Sequence, residues 1–216
     1  MGIAARMQHL LATGQVRRAS AVPSHVASAT WSLAELSGRV VELSGHGATA
    51  LLTVAVGLIV EAQQKQEPVA WISHPAATVF PPDVAQHGVD LAALVFVRVE
   101  AAAAMLRAVD HLLRSGAFGL VILDLPARID VPLSAQVRLA GLAKKHEAVL
   151  VYLASGNGAA GESEMAASSL VSLRATCHRR RVDAGRFECA LQVNKDKRRG
   201  HEWSHVQVFH GAVGLR

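Results

Sequence analysis

Residues 42–60 read ELSGHGATALLTVAVGLIV, an apolar strand that runs through a glycine turn into a long apolar helix. This is the layout of a phosphate-binding loop, whose pattern is G-x-x-x-x-G-K-[ST]. Counting from Gly45, the second glycine falls on Ala50, the lysine on Leu51 and the hydroxyl on Leu52. Such loops hold phosphate with N–H groups at the helix start, a lysine charge and a hydroxyl on magnesium. Gly45 and Gly47 still offer a turn and some N–H groups, whereas Leu51 and Leu52 offer neither charge nor metal ligand. Both leucines suit packing of the helix against a sheet. The stretch is therefore read as a structural strand-turn-helix, with no cofactor, metal or catalytic residue expected.

Outward from this loop, short apolar runs alternate with helical stretches. Strands are expected at 68–73, 94–98, 120–125 and 148–154, and helices at Ala48–Gln64, Ala101–Ser115 and Leu133–His146. Buried runs of four to six residues separated by helices predict an α/β domain with a mostly parallel sheet, flanked by helices. After the Gly/Ser stretch SGNGAAGES, at 155–163, three runs follow with no helix between them. These predict antiparallel strands at the C-terminal end of the sheet. Residues 1–30 read as a short amphipathic helix and an extended arm, and residues 31–216 as one core domain.

The chain has 216 residues, of which 51% are hydrophobic and 4% aromatic, a globular composition. Its start lacks the long apolar run of a signal peptide, and residues 48–60 are too short to span a bilayer. Two cysteines, Cys177 and Cys189, form no disulfide framework, and a cytoplasmic protein with free thiols is expected. The net charge of +5 is concentrated. Residues 170–200 hold nine basic side chains (Arg174, Arg179, Arg180, Arg181, Arg186, Lys195, Lys197, Arg198, Arg199) against the acids Asp183, Glu188 and Asp196. Phosphates or an acidic protein surface suit such a patch, and a solvated hairpin edge also accounts for it. Arg179–Arg181 are expected at the tight end of a hairpin, with Lys195, Lys197, Arg198 and Arg199 near the next turn.

Two further motifs bear on metal chemistry. Asp124, closing the strand LVILDL, has the look of a metal-binding acid, but lacks a lysine–hydroxyl pair to work with. HEWSH, residues 201–205, matches the zinc-protease signature H-E-x-x-H, which needs a helix to bring its histidines together. It runs into VQVF, which alternates like a strand. On a strand the histidines would stand roughly 13 Å apart, too far to share a metal.

The segments GRVVELSGHG, SGAFGLVILDL, AVLVYLAS and VQVFHGAVG resemble, in order and spacing, the core of the RecA recombinase family. The resemblance covers Trp31 to Gly214 and implies a RecA-like core with a degenerate nucleotide site. It would set the catalytic glutamate near Pro75, the phosphate-sensing glutamine at Ser155 and a shortened DNA-binding loop after it. No counterpart of the recombinases' C-terminal domain is expected. A short RecA-like chain of this kind is similar to the ImuA family, accessory proteins of the bacterial translesion mutasome in the SOS response to DNA damage. More distantly it is similar to SulA, a cell-division inhibitor. The first resemblance implies ImuB, RecA and the error-prone C-family polymerase as partners, at the nucleoid. Single-stranded DNA and self-association are further candidates, with Arg179, Arg180, Arg181, Lys195, Lys197, Arg198 and Arg199 as the contact residues. A cryptic NTPase is the remaining alternative.

Overall fold

In a computed structural model, the described residues are 31–46, 49–77, 79–125, 131–156, 170–183, 185–200 and 202–210. The N-terminal helix and arm, Gly47, most of the Gly/Ser stretch and His201 lie outside them.

Among the described residues eight strands form one sheet: β1 Val40–His46, β2 Val69–Ser73, β3 Leu94–Arg98, β4 Leu120–Leu125, β5 Val149–Gly156, β6 Leu173–Asp183, β7 Arg186–Asp196 and β8 Trp203–His210. Their order is β3-β2-β4-β5-β1-β6-β7-β8. From β3 to β6 every neighbouring pair is parallel, because each crossover returns the chain to the same end of the sheet. The β6–β7 and β7–β8 pairs are antiparallel, so β7 alone opposes the rest. The expected antiparallel close is thus present, but its first strand, β6, joins β1 in parallel.

The helices are α1 Leu33–Leu36, α2 Leu51–Gln64, α3 Pro81–Gln86, α4 Ala102–Ser115 and α5 Leu133–Lys145. Strands β2 and β4 are buried along their whole length, as strands covered on both faces must be. Leu51, Val54, Ala55, Leu58, Ile59 and Ala62 of α2 pack on one face, against Trp71 and Ile122. Met105, Val109 and Leu113 of α4 and Leu139 of α5 pack on the other, against Ile72 and Leu123. Each such large side chain contributes roughly 1.5–3 kcal/mol on full burial. Helix α4 stops at Gly116, whose φ of +67° is the left-handed conformation glycine adopts readily. The sequence reading missed α3, because six residues beginning Pro-Pro are too few to display a helical period. Among the described residues no helix is long and apolar enough to cross a membrane.

Candidate functional site

The loop between β1 and α2 opens at the carboxyl end of the parallel strands, where α/β folds bind their ligands. Gly45 is forced by packing. A Cβ on it would stand 2.0 Å from Thr49 Oγ1 and 2.7 Å from Thr49 Cβ. The Thr49 hydroxyl donates to the Cys177 carbonyl at 2.9 Å and accepts from the Leu51 N–H at 3.2 Å. One N–H of the helix start, the kind of donor a phosphate would use, is thus met by the chain itself. The lysine position, Leu51, is 2% exposed and belongs to the core, and Ala50 beside it is fully buried. Leu52 departs from expectation: it is 36% exposed and does not pack against the sheet. Successive helical residues lie about 100° apart, so two adjacent leucines cannot both face the sheet.

The neighbouring strand ends carry a buried polar corner. Asp124 of β4 and Ser73 of β2 are register partners, 6% and 1% exposed, on the same face as the fully buried Trp71. Burial pushes the Asp124 carboxyl up to about 6, and the Trp71 indole offsets this only in part. Among the described residues, neither that indole N–H nor the Ser73 hydroxyl reaches hydrogen-bond geometry to a partner. Past Ser73 the chain turns through Pro75, where His74 Nδ1 accepts from the Ala76 N–H at 3.1 Å. Ser155 of β5 stands beside Gly45 in register. The positions aligned with a nucleotide site are therefore assembled at one end of the sheet, with changed chemistry. Trp71 and Thr49 carry no recognisable motif, and their roles come from the packing alone.

The basic segment divides as its strand pairing predicts. Arg179, Arg180 and Arg181 are exposed near the β6–β7 turn, at the same end of the sheet as the degenerate loop. Arg180 pairs with Glu188 at 3.0 Å, and the Arg179 guanidinium lies 5.0 Å from the centre of the Phe187 ring. Lys195, Lys197, Arg198 and Arg199 lie at the opposite end, where Asp196 pairs in register with Leu173. Two of these cations anchor structure. Arg198 donates to the Glu35 carbonyl at 2.9 Å and the Ser37 carbonyl at 2.6 Å. Arg199 reaches Glu35 Oε2 at 3.1 Å and lies 5.2 Å from the centre of the Trp203 ring.

Asp196 organises this turn. Its side chain is fully buried and accepts from Arg39 at 2.6 Å, from the Trp203 indole at 3.0 Å and from the Arg198 N–H at 2.9 Å. Burial alone would raise its carboxyl, but these donors together hold it below the ordinary carboxylate range. Sequence reading counted Asp196 merely as an offsetting charge. The alternation of the buried Cys189, Leu191 and Val193 would have turned it outward, and the register shift between Arg174 and Ala175 carries it inside.

Cys177 and Cys189 are free and buried, offset by two residues across the hairpin and not directly opposite. Burial, and then the nearby Cys189, push the Cys177 thiol up to about 12, which leaves it poorly nucleophilic. In HEWSH, Trp203–His205 belong to strand β8, and no helix forms there. Among the described residues no three His, Cys, Asp or Glu side chains converge as a metal site.

A mixed sheet with a strand-turn-helix at β1 and its ligand edge at the carboxyl strand ends defines a RecA-like α/β domain. The chain matches the RecA N-terminal domain family over residues 15–141, more than half its length, and belongs to that family. The match begins before Trp31 and ends within α5, so β5 to β8 extend beyond it. Compared with curated proteins, the chain has no match.

Proposed function

We propose that this RecA-family chain is a non-catalytic accessory protein of SOS-induced translesion synthesis, acting through protein contacts with ImuB and RecA, as the ImuA resemblance implies. One observation supports the loss of catalysis: Leu51, at the position of the phosphate-binding lysine, is a core residue. A polyphosphate there would meet hydrocarbon in place of charge and metal, and desolvating it without compensation is costly. The family's strand-turn-helix is retained because Gly45, Thr49 and Leu51 pack the fold. Single-stranded DNA is a further partner in this reading. The exposed arginines 179–181 lie at the ligand end of the sheet, whereas Arg198 and Arg199 are engaged with α1.

Two measurements test the proposal. Purified protein with ATP and magnesium should show no turnover above background and no rise in melting temperature. Pull-downs from DNA-damaged cells should recover ImuB and RecA. Magnesium-dependent turnover would make the chain an enzyme, and recovery of a tubulin-like division protein instead would favour the SulA-like role.

A further inference from the structure

Strand β8 closes one side of the sheet, and among the described residues no strand pairs with its outer edge. A free edge presents a row of N–H and C=O groups to any other chain, and proteins ordinarily blunt it with charge, proline, a bulge or short length. Strand β3, at the other edge, is five residues long and ends in Arg98. Strand β8 has none of these devices. It runs for eight residues, WSHVQVFH, without Lys, Arg, Asp, Glu or Pro, and it pairs with β7 in unbroken register.

Both faces beside this edge are apolar. Trp203 and Phe209 pack toward α2, where His205, Gln207 and Phe209 line a groove made of two adjoining hollows, of about 210 and 340 Å³. Leu52, Val56 and Val60, on the outer side of α2, floor the groove, and Phe80, 59% exposed, stands beyond them. Successive strand residues alternate between faces, so Val206 and Val208 point the other way. They are 53% and 51% exposed, next to Ala190 and Glu188 of β7. The core that α4 and α5 form on that face includes no described residue of β7 or β8, so no helix covers the two valines.

The strand is complementary to itself. When two copies of β8 run antiparallel about a two-fold axis through Gln207, Val206 stands opposite the second copy's Val208, and Val208 opposite its Val206. Four half-exposed valines then close into one patch, and directly opposed pairs of this kind are what stabilise a sheet. On the α2 side Gln207 meets its own copy, and His205 meets the second copy's Phe209 at the mouth of the groove. No Lys, Arg, Asp or Glu enters the seam, so a chain of net charge +5 meets itself there without opposing like charges. A standing dimer buries at least roughly 1,200 Å² in total, and the groove adds apolar area to what the paired edges and valines cover. A two-fold contact uses one surface twice and closes on itself. An unrelated strand would have to match the valines on one face and the groove on the other. We propose that the chain forms a two-fold dimer by antiparallel pairing of β8 with β8 of a second copy, centred on Gln207, which joins the two sheets into one.

Sedimentation of the full chain across the micromolar range should show a monomer–dimer equilibrium. Val206→Lys combined with Val208→Lys sets like charges opposite one another at the seam and should weaken the dimer at least tenfold. Val206→Lys combined with Val208→Glu sets opposite charges there and should restore it. Gln207→Cys in the otherwise native chain should give, on oxidation, a covalent dimer joined at position 207. Val206→Cys, which faces position 208 of the second copy and not itself, should give far less. A chain that stays monomeric throughout that range would overturn the proposal and leave the edge to a strand of another protein. Self-association unchanged by the paired lysine substitutions, or equal cross-linking at positions 206 and 207, would also overturn it, since either places the contact elsewhere.

Discussion

Asp196 and Asp124 are both buried acids near strand ends, at opposite ends of the strands of one sheet, and the fold treats them in opposite ways. Asp196 is ringed by donors from Arg39, Trp203 and Arg198, which keep it charged. Among the described residues only the Trp71 indole offsets the burial of Asp124, whose carboxyl is pushed up to about 6. The fully satisfied acid pins a turn, so its edge of the sheet is structural. The other lies at the same end of the strands as the degenerate loop, two strands away from it. Buried polar groups with full partners fix conformation, and those without them mark places where a fold has been adapted.

The contrast breaks most visibly at Asp196. Asp196→Ala leaves Arg39 buried with its charge uncompensated, and unfolding in urea should show a loss of about 3–5 kcal/mol. Its pH dependence has a definite sign. Because the folded-state carboxyl is lowered, the contribution is present above the ordinary carboxylate range and fades as pH falls through the folded value. A loss under about 1 kcal/mol, the range of an exposed ion pair, would show that the ring of donors is not worth its geometry.

Asp124 should behave inversely. Its folded carboxyl is raised from 3.8 to about 6, so the folded state binds the proton more tightly than the unfolded chain. Its contribution is then full below the unfolded value and disappears as pH rises through the folded one. A shift of this size corresponds to about 3 kcal/mol. Asp124→Asn should therefore stabilise the protein by up to about that amount at pH 8 and have little effect at pH 4. If the variant and the native chain unfold alike at both pH values, the corner is better solvated than its burial indicates.

Gly45→Ala probes the loop between these acids. The added methyl meets Thr49 Oγ1 at 2.0 Å, and overpacking of this kind costs about 1–3 kcal/mol. In a Thr49→Ala background the same change should cost less, because the closest atom is gone. Equal costs in the two backgrounds would mean that Thr49 is not what holds the turn closed.

The smallest effect on stability is expected at the exposed arginines. Changing Arg179, Arg180 and Arg181 to alanine should leave the urea midpoint almost unchanged, since exposed ion pairs contribute little. The salt slope of single-stranded DNA binding should fall by up to about 2, at roughly 0.7 for each phosphate no longer neutralised. Arg198→Ala should instead cost about 1–3 kcal/mol of stability through its bonds to α1. Should the salt slope respond to Arg198 and not to the three arginines, the assignment of the two edges is reversed.

Much of the fold was legible in the residues. The bounds of α2, α4 and α5 fall within a few residues of expectation, because long apolar runs between turn residues leave a parallel sheet little choice of strands. The replacement of lysine and hydroxyl by Leu51 and Leu52 was equally plain, since a motif is a matter of residue identity. Their separate fates were not. Leu51 entered the core and Leu52 the wall of a groove, because a helix face is fixed only when the helix docks. Likewise the charges of residues 170–200 could be counted, but which cations bind structure depended on α1 arriving beside the β7–β8 turn, more than 160 positions away in the chain. The sequence by itself determined the order of strands and helices and the missing nucleotide groups, because both follow from local composition. The tertiary structure alone decided the ring around Asp196, the burial of Asp124 and the fit of Thr49 against Gly45. Those depend on side chains distant in sequence meeting in space, and no local pattern encodes such a meeting.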